Sequence, residues 1–226
     1  MSLPRPCRLF LFDLDGTLID SRADIARAVN AVLMKMRYPA LSMADVMGFV
    51  GDGVETLVRR VLRAVTGAEP DAGQVNTGAH FLIEEYGNHL IDSTRLYPGV
   101  RETLKALHWA RLGLVSNKPE LLSRRILAAF GLADLFCVVL GGDSLPQRKP
   151  DPAPILAALS RCQASPAETV MVGDSPTDIL AGKAAGVFTC GVSGGFRTRE
   201  ELQAAGCDVI IDRLDELLQH FCDPGN

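Results

Sequence analysis

The sequence of 226 residues has no apolar run long enough to cross a membrane as a helix. Such a span needs about 18 consecutive apolar residues, and the longest uninterrupted run near the start covers only Leu9–Phe12. The amino terminus also lacks a basic segment followed by a long apolar region, which is the pattern of a secretory signal peptide. We therefore expect a cytoplasmic protein with no membrane partner.

The sequence also lacks a basic tract. Lys and Arg together number 23 and Asp and Glu number 27, which gives a formal net charge of −4 at neutral pH. Because nucleic-acid-binding domains carry clustered positive charge, this composition predicts no nucleic-acid partner. An anionic substrate would have to be held by a local site.

Cysteines with metal-binding or redox spacing are missing. The sequence has no CxxC pair. The six cysteines occur singly, as Cys7, Cys137, Cys162, Cys190, Cys207 and Cys222. This scatter predicts free thiols in a reducing compartment rather than a disulfide framework.

Short apolar runs, typical of buried strands, alternate with segments of helical periodicity through most of the chain. The first strand pattern is at Arg8–Leu14. Between about 21 and 92 the pattern is helical and predicts no strand. The later strands are predicted at Leu112–Ser116, Phe136–Leu140, Thr169–Gly173, Val187–Val192 and Val209–Ile211. The helices that separate and follow them are predicted at Pro119–Phe130, Pro152–Cys162, Pro176–Ala185, Glu200–Ala205 and Leu214–Phe221.

Strands that are apolar throughout and alternate with helices are typical of a parallel sheet covered on both faces. We therefore predict an α/β fold with a Rossmann-like core. The length fits one domain that carries an insert. The core is expected to comprise 1–20 and 93–226, with a small all-helical domain, 21–92, inserted after the first strand.

In such a sheet, ligands bind beyond the carboxyl ends of the strands, and four loops there carry polar residues. These residues are Asp13, Asp15, Thr17, Ser116, Asn117, Lys149, Asp174 and Asp178. Carboxylates brought together repel one another unless a cation lies among them. Oxygen ligands without His favour a hard ion, of which Mg²⁺ is the best match. A lysine and a hydroxyl group nearby would bind phosphate. One carboxylate could then attack phosphorus to give an aspartyl-phosphate, and a second could act as general acid and then base.

The same residues resemble the four motifs of the haloacid dehalogenase-like phosphatases. The motifs occur in the expected order as Asp13-x-Asp15-Gly16-Thr17, Ser116, Lys149-Pro150 and Gly173-Asp174-x3-Asp178. The resemblance covers essentially the whole chain, and the helical insert is similar to the small helical cap of that superfamily. Within it, the chain most resembles the phosphoglycolate phosphatases. The segments that carry this closer likeness are Val50-Gly51-Asp52-Gly53, Leu57-Val58-x-Arg60, Ser116-Asn117-Lys118-Pro119, Gly141-Gly142-Asp143 and Lys149-Pro150-Asp151-Pro152-Ala153-Pro154.

The resemblance implies a role for each matched residue. Asp13 would be the nucleophile and a Mg²⁺ ligand, and Asp15 would be the acid/base with its backbone carbonyl on the metal. Asp174 would be a carboxylate ligand, and Asp178 would bind the metal directly or through water. Lys149 would hold the phosphoryl group and restrain the charge on Asp13. The residues implied to contact substrate are Thr17, Ser116, Asn117, Lys149, Gly51 and Gly53.

These roles predict a Mg²⁺-dependent phosphoric monoester hydrolase, with 2-phosphoglycolate as the best single substrate. Its partner would be a small phosphorylated metabolite, and the protein would be a monomer or a homodimer. Three alternatives remain open: a phosphatase for a sugar phosphate, nucleotide or pyrophosphate; a phosphosugar mutase of the same fold; and a silent binding protein. The stretch Asp52–Arg63 does not resemble the mutase pattern, and no essential group is missing, which disfavours the silent protein.

Residues beside the motifs have simpler interpretations. Lys118 is expected to face solvent although it adjoins Ser116-Asn117. Arg59 and Arg60 are expected on a solvated helix face, with the alternative that one reaches a substrate carboxylate. The segment Ser193–Arg197 is given no role.

Overall fold

A computed structural model describes residues 5–225 and divides them into two units. The first unit holds 5–20 and 96–225, and the second is Ser21–Arg95. The predicted end of the insert, residue 92, lies three residues before the division at Arg95. Residues 1–4 and 226 of the predicted core lie outside the described chain.

The strands follow the apolar runs of the sequence. Their bounds are β1 Arg5–Pro6, β2 Leu9–Phe12, β3 Ile19–Asp20, β4 Arg95–Leu96, β5 Arg111–Val115, β6 Phe136–Leu140, β7 Thr169–Gly173, β8 Phe188–Val192, β9 Val209–Ile211 and β10 Phe221–Cys222. Strands β2 and β5 to β9 form a parallel six-stranded sheet in the described chain. The predicted α/β fold class is confirmed.

The helices lie between these strands and throughout the second unit. Their bounds are α1 Arg22–Lys35, α2 Met43–Phe49, α3 Val54–Thr66, α4 Ala72–Asn88, α5 Val100–Ala106, α6 Glu120–Ala129, α7 Ala153–Arg161, α8 Pro176–Ala184, α9 Arg199–Ala204 and α10 Leu217–His220. Short 3-10 turns occur at Ala133–Leu135, Pro166–Glu168 and Leu214–Glu216. Within residues 5–225, no helix combines the length and apolar character that a membrane span requires.

Strand β2 occupies the middle of the sheet, whose order is β6-β5-β2-β7-β8-β9. Leu9 pairs with Arg111 on one side and with Thr169 on the other. All four residues of β2 are completely buried, and each such side chain contributes roughly 1.5–3 kcal/mol. On one side of β2 lie β5 and then β6, and on the other side lie β7, β8 and β9, so that the strands follow in chain order outward from β2. This reversal opens a crevice at the carboxyl ends of β2 and its neighbours, where ligands bind in such sheets.

The second unit is a helical bundle closed at its foot by Asp24. Helix α4 packs against α1 and α3. The Asp24 carboxylate, 1% exposed, accepts hydrogen bonds from the backbone N–H groups of Ser93 and Thr94 at 2.8–3.1 Å. It also accepts one from the Thr94 hydroxyl at 2.7 Å. Burial by itself raises the pKa of Asp24, but these donors outweigh it and lower the pKa. The residues that begin and end the insert are thereby bound to each other.

The carboxyl terminus corrects one prediction. The last helix was expected to run through Phe221, but α10 ends at His220 and Phe221 begins β10, which pairs in parallel with β1. The Phe221 ring meets Phe10 edge-on at 5.4 Å and Phe188 edge-on at 5.9 Å between centroids. The helix ends before Phe221 because burial of this aromatic side chain against the sheet is more favourable than one further helical residue.

Candidate active site at the carboxyl edge of the sheet

The loops that leave β2, β5 and β7, with the loop that precedes α7, carry the predicted site residues. Asp13 directly follows β2, Ser116 follows β5, and Asp174 follows β7. Lys149 lies four residues before α7. Because the strands are parallel, their carboxyl ends share one edge of the sheet. The structure brings all four residues to that edge.

Three carboxylates form a tight cluster there. Asp13, Asp174 and Asp178 each offer an oxygen, and these oxygens lie within 4.8 Å of one another. Asp174 and Asp178 are 2% and 0% exposed, and Asp13 is 9% exposed. Three buried carboxylates this close together repel one another, so the cluster is stable only with positive charge beside it.

Lys149 supplies one positive charge from inside the cluster. Its side chain is 2% exposed, and its Nζ lies 2.5 Å from Asp178 Oδ1 and 3.0 Å from Asp13 Oδ1. The ammonium also donates to the Val115 carbonyl at 2.6 Å. Burial by itself would lower the pKa of Lys149, but the carboxylates of Asp13 and Asp178 raise it. Lys149 is therefore a fixed cation.

One ammonium does not balance three carboxylates. Burial, with further contributions from Asp178 and Asp15, raises the pKa of Asp13 to about 6 even though Lys149 opposes the shift. Burial together with Asp13 and Asp178 raises the pKa of Asp174 well above its usual value. Apart from its ion pair with Lys149, Asp13 Oδ1 accepts no hydrogen bond within the described chain although it is buried. An all-oxygen cluster with surplus negative charge and an unsatisfied acceptor fits a hard divalent cation.

The cluster members differ in how far their oxygens are already engaged. Asp178 accepts from Lys149 through Oδ1, and through Oδ2 from the backbone N–H and hydroxyl of Ser175 at 3.1 and 2.7 Å. Asp174 accepts one bond on each oxygen, from the Thr17 hydroxyl at 3.1 Å and from the Phe196 N–H at 2.7 Å. Asp178 thus holds Lys149, whereas Asp13 and Asp174 keep lone pairs for a cation.

Ser116 and Asn117 line the other side of the same edge. Both are buried, at 5% and 8% exposure. The Asn117 side-chain amide donates to the Lys149 carbonyl at 2.8 Å, so the loop after β5 fixes the main chain that carries Lys149. The Ser116 backbone N–H donates to the Leu140 carbonyl at 3.0 Å. The end of β5 and the loop after it thus lie against Lys149, whose ammonium is suited to bind a phosphoryl group.

Thr17, predicted to touch substrate, is 1% exposed, and its hydroxyl donates to Asp174. In the structure, Thr17 therefore orients the Asp174 carboxylate.

Gly51 and Gly53 lie in the helical unit, in the turn before α3, with φ values of 132° and 90°. Arg60 braces this turn, since its guanidinium donates to the Phe49 carbonyl at 3.0 Å and lies 2.6 Å from Asp52 Oδ2. The Arg59 and Arg60 side chains remain 46% and 39% exposed, in line with the expected solvated helix face, and Arg59 pairs there with Glu69.

Lys118 is buried within the site. Its side chain is only 6% exposed, and Nζ lies 2.8 Å from both carboxylate oxygens of Asp15. The expectation that Lys118 faces solvent is wrong, because Asp15 from the neighbouring strand end holds the ammonium inside the site.

The segment Ser193–Arg197, to which no role was given, also belongs to the site. Its Phe196 N–H donates to Asp174, and Gly195 lies against the same side chain. The sequence signal for this segment is the Gly194-Gly195 pair two residues after β8, because the carboxyl end of that parallel strand shares the edge that carries Asp174.

Known proteins are similar to this chain over most of its length. The haloacid dehalogenase-like hydrolase family profile matches residues 10–192. A Nitrosospira multiformis protein named phosphoglycolate phosphatase is 37% identical, over 96% of this chain and 96% of its own. A protein of the same name from Cereibacter sphaeroides is 40% identical, over 93% of this chain and 97% of its own.

A solved structure agrees with these sequence relatives. The crystal structure described as a predicted phosphoglycolate phosphatase from Haemophilus somnus is 34% identical and superposes with a TM-score of 0.88. The likeness covers 94% of this chain and 97% of that chain. Family members generally use a divalent metal, with which the acidic cluster is compatible. The chain belongs to the haloacid dehalogenase-like hydrolase family, within which it is a phosphatase.

Proposed function

We propose that this phosphatase hydrolyses 2-phosphoglycolate to glycolate and phosphate with Mg²⁺ as its cofactor. The observation that carries the chemistry is the cluster in which Lys149 bridges Asp13 and Asp178 beside Asp174. The choice of substrate is supported by the names of relatives that match nearly the full chain. We also propose a cytoplasmic location, a monomeric or homodimeric state, and no nucleic-acid or membrane partner.

The mechanism starts from Asp13. Its carboxylate attacks phosphorus while the bond from phosphorus to the glycolate oxygen breaks, which leaves an aspartyl-phosphate on Asp13. Asp15 gives its proton to the departing oxygen. Asp15 then takes a proton from the water that attacks the aspartyl-phosphate, which releases phosphate and restores Asp13. These two carboxyl groups therefore carry every proton and bond change of the cycle.

The remaining residues hold the reacting groups in place. Mg²⁺, held by Asp13, Asp174 and the Asp15 backbone carbonyl, would neutralise negative charge on the phosphoryl oxygens. Asp178, through its contact with Lys149, fixes the ammonium that faces the nucleophile. Ser116 and the Asn117 backbone would bind the phosphoryl oxygens opposite the metal.

The helical unit would supply further substrate contacts. The α3 turn, with Gly51 and Gly53, has backbone N–H groups at a helix start, and such groups suit an anionic carboxylate. This part of the proposal rests on the resemblance.

The test is phosphate release from 2-phosphoglycolate, compared with sugar phosphates, nucleotides and pyrophosphate. We expect the highest kcat/KM for 2-phosphoglycolate, loss of turnover in a chelator, and inhibition by excess Ca²⁺. Calcium binds more oxygens at longer distances, so it would disturb the attack geometry of Asp13. A clear preference for another ester would replace the substrate, and full activity in a chelator would remove the metal. No phosphate release from any compound would leave the silent binding protein as the better account.

A further inference from the structure

Two lysines serve the two catalytic carboxylates separately. Lys149 pairs with Asp13 and Asp178, whereas Lys118 pairs with Asp15. From this division, and resting on the proposed function, we infer that Lys118 is a positioning residue that aims the Asp15 carboxyl group at the leaving-group oxygen.

The contact itself fixes an orientation. Lys118 Nζ lies 2.8 Å from Asp15 Oδ1 and 2.8 Å from Asp15 Oδ2. The last torsion of an aspartate side chain is otherwise soft, with broad, roughly two-fold preferences. One ammonium bound to both oxygens removes that freedom. Asp15 must reach a proton acceptor within hydrogen-bond distance, so a fixed carboxyl plane is a requirement of its role.

The burial of Lys118 shows that this contact is favoured over solvent. A lysine side chain has four methylenes and normally extends to place its ammonium in water. Here the side chain is 6% exposed and that of Asp15 is 14% exposed. Buried lysines are uncommon unless they are paired, and the cost of desolvation is offset only by a well-formed contact. The loop after β5 therefore places charge at Asp15 at an energetic cost, which points to function.

The main chain of Lys118 is held in place by the segment Gly141-Gly142-Asp143, which has no other assigned role. The Gly142 N–H donates to the Lys118 carbonyl at 2.9 Å. A side chain at Gly141 would put its first carbon 2.7 Å from that carbonyl oxygen, so only glycine permits this approach. Asp143 accepts from the Glu120 N–H at 2.7 Å and so fixes the start of α6. These contacts pin both ends of the Lys118 loop.

The experiment compares leaving groups of different quality. Phenyl phosphate and para-nitrophenyl phosphate have nearly the same shape and no carboxylate, but nitrophenolate departs without protonation, whereas phenolate needs it more. The value of kcat/KM reports the step in which this oxygen leaves. Lys118→Met keeps an unbranched side chain only one atom shorter and removes its charge, and Asp15→Asn removes the acid itself as a reference.

We expect Lys118→Met to lose at least about tenfold in kcat/KM on phenyl phosphate and less than about threefold on para-nitrophenyl phosphate, because general acid catalysis matters only for the poorer leaving group. Asp15→Asn should show the same imbalance in stronger form, and Lys118→Arg should recover part of the loss. Lys183→Met is the matched control. That lysine is exposed and donates to the Gly206 carbonyl, so both esters should be unaffected.

An equal loss on the two aryl esters would overturn the inference. So would a loss confined to 2-phosphoglycolate, because Lys118 would then bind the substrate carboxylate. Absence of phosphate release by the wild-type enzyme would instead refute the proposed function. Circular dichroism and thermal melting check the fold. If Lys118→Met fails that check, Lys118→Gln carries the same comparison, with the same imbalance expected and an equal loss again overturning the inference.

Discussion

A methyl group added at Gly195 should disable the site. The first carbon of an alanine there would lie 2.3 Å from Asp174 Cβ and 2.4 Å from Asp174 Oδ2. The backbone of Gly195 is not in the left-handed region, so alanine fits its conformation and only the contact matters. The same carbon would lie 2.4 Å from the Gly16 carbonyl oxygen, so Gly195→Ala must displace Asp174 or the loop after β2 that carries Gly16.

The size of the effect follows from the distance that must be recovered. Ordinary contacts begin at 3.4 Å, so Asp174 or its neighbouring loop must move by about 1 Å, and a misplacement of that size costs about 100-fold in rate. This corresponds to about 2.7 kcal/mol of activation free energy. A displaced ligand should also weaken metal binding, so more Mg²⁺ should be needed for half-maximal activity.

The neighbouring glycine is the control. A first carbon at Gly194 would lie 3.5 Å from the Asp212 carbonyl oxygen, which is an ordinary contact. The assay is kcat/KM on 2-phosphoglycolate across a Mg²⁺ titration for Gly194→Ala and Gly195→Ala, with thermal melting to check the fold. If the two variants agree within about threefold and need the same Mg²⁺, the packing of Gly195 on Asp174 does not control ligand position.

Three further outcomes are expected. Asp13→Asn should abolish phosphate release yet keep or raise the melting temperature, because an amide cannot attack phosphorus and removes one charge from a crowded cluster. Asp24→Ala should lower the unfolding free energy at pH 7 by about 2–3 kcal/mol, since several hydrogen bonds to a charged acceptor are lost. The folded pKa of Asp24 is lowered, so its stabilisation is present above the unfolded pKa near 4 and is lost as pH falls through the folded pKa. Hydrogen peroxide should join Cys137 to Cys162, whose Sγ atoms lie 3.0 Å apart, with two thiols oxidised to one disulfide and peroxide reduced to water.

The measurements are direct. Phosphate release within about tenfold of wild type in Asp13→Asn would contradict the nucleophile assignment. Urea unfolding at pH 7 and pH 3 tests Asp24, and a deficit that persists undiminished at pH 3 would show that its charge is not the cause. Mass spectrometry detects the disulfide. Burial raises the pKa of Cys162 to about 12, so the reaction should be faster in alkali. Cys137→Ser should prevent formation of this disulfide. If peroxide oxidises Cys162 to a disulfide equally well in that variant, the proposed pairing of Cys137 with Cys162 is wrong.

The fold could be predicted where apolar runs were long enough to show a period. Strands Phe136–Leu140, Thr169–Gly173 and Val209–Ile211 have the predicted bounds because each is mostly apolar and is flanked by clear turn or helix signals. The two-residue strands β3, β4 and β10 could not be predicted. Two residues show no period, and their pairing depends on segments far apart in the sequence.

The site divides in the same way. Parallel strands end at one edge of the sheet, so the strand assignment predicts that Asp13 and Asp174 share that edge; the pairing of β2 with β7, which brings them close together, is seen only in the structure. The direction of the Lys118 side chain does not follow, because it depends on how closely Gly141-Gly142 approaches its loop. The contribution of Phe196 is a backbone N–H, which every residue except proline has. A sequence motif built on side chains cannot reveal it.

The hydrogen bonds of Asp24 have a consequence for how the chain closes on itself. The insert spans Ser21–Arg95. The entropic cost of bringing together the ends of a flexible loop of about 75 residues is roughly 4 kcal/mol, whereas that of a loop of four residues is roughly 1 kcal/mol. Once Asp24 has bound Ser93 and Thr94, the first and last residues of the insert are held together, and the core is connected as it would be by a short turn. Folding of the helices thus lowers the entropic cost of forming the sheet by roughly 2–3 kcal/mol. Exchange of this insert for another helical unit should therefore leave the core stable only if the new unit also brings its own ends together.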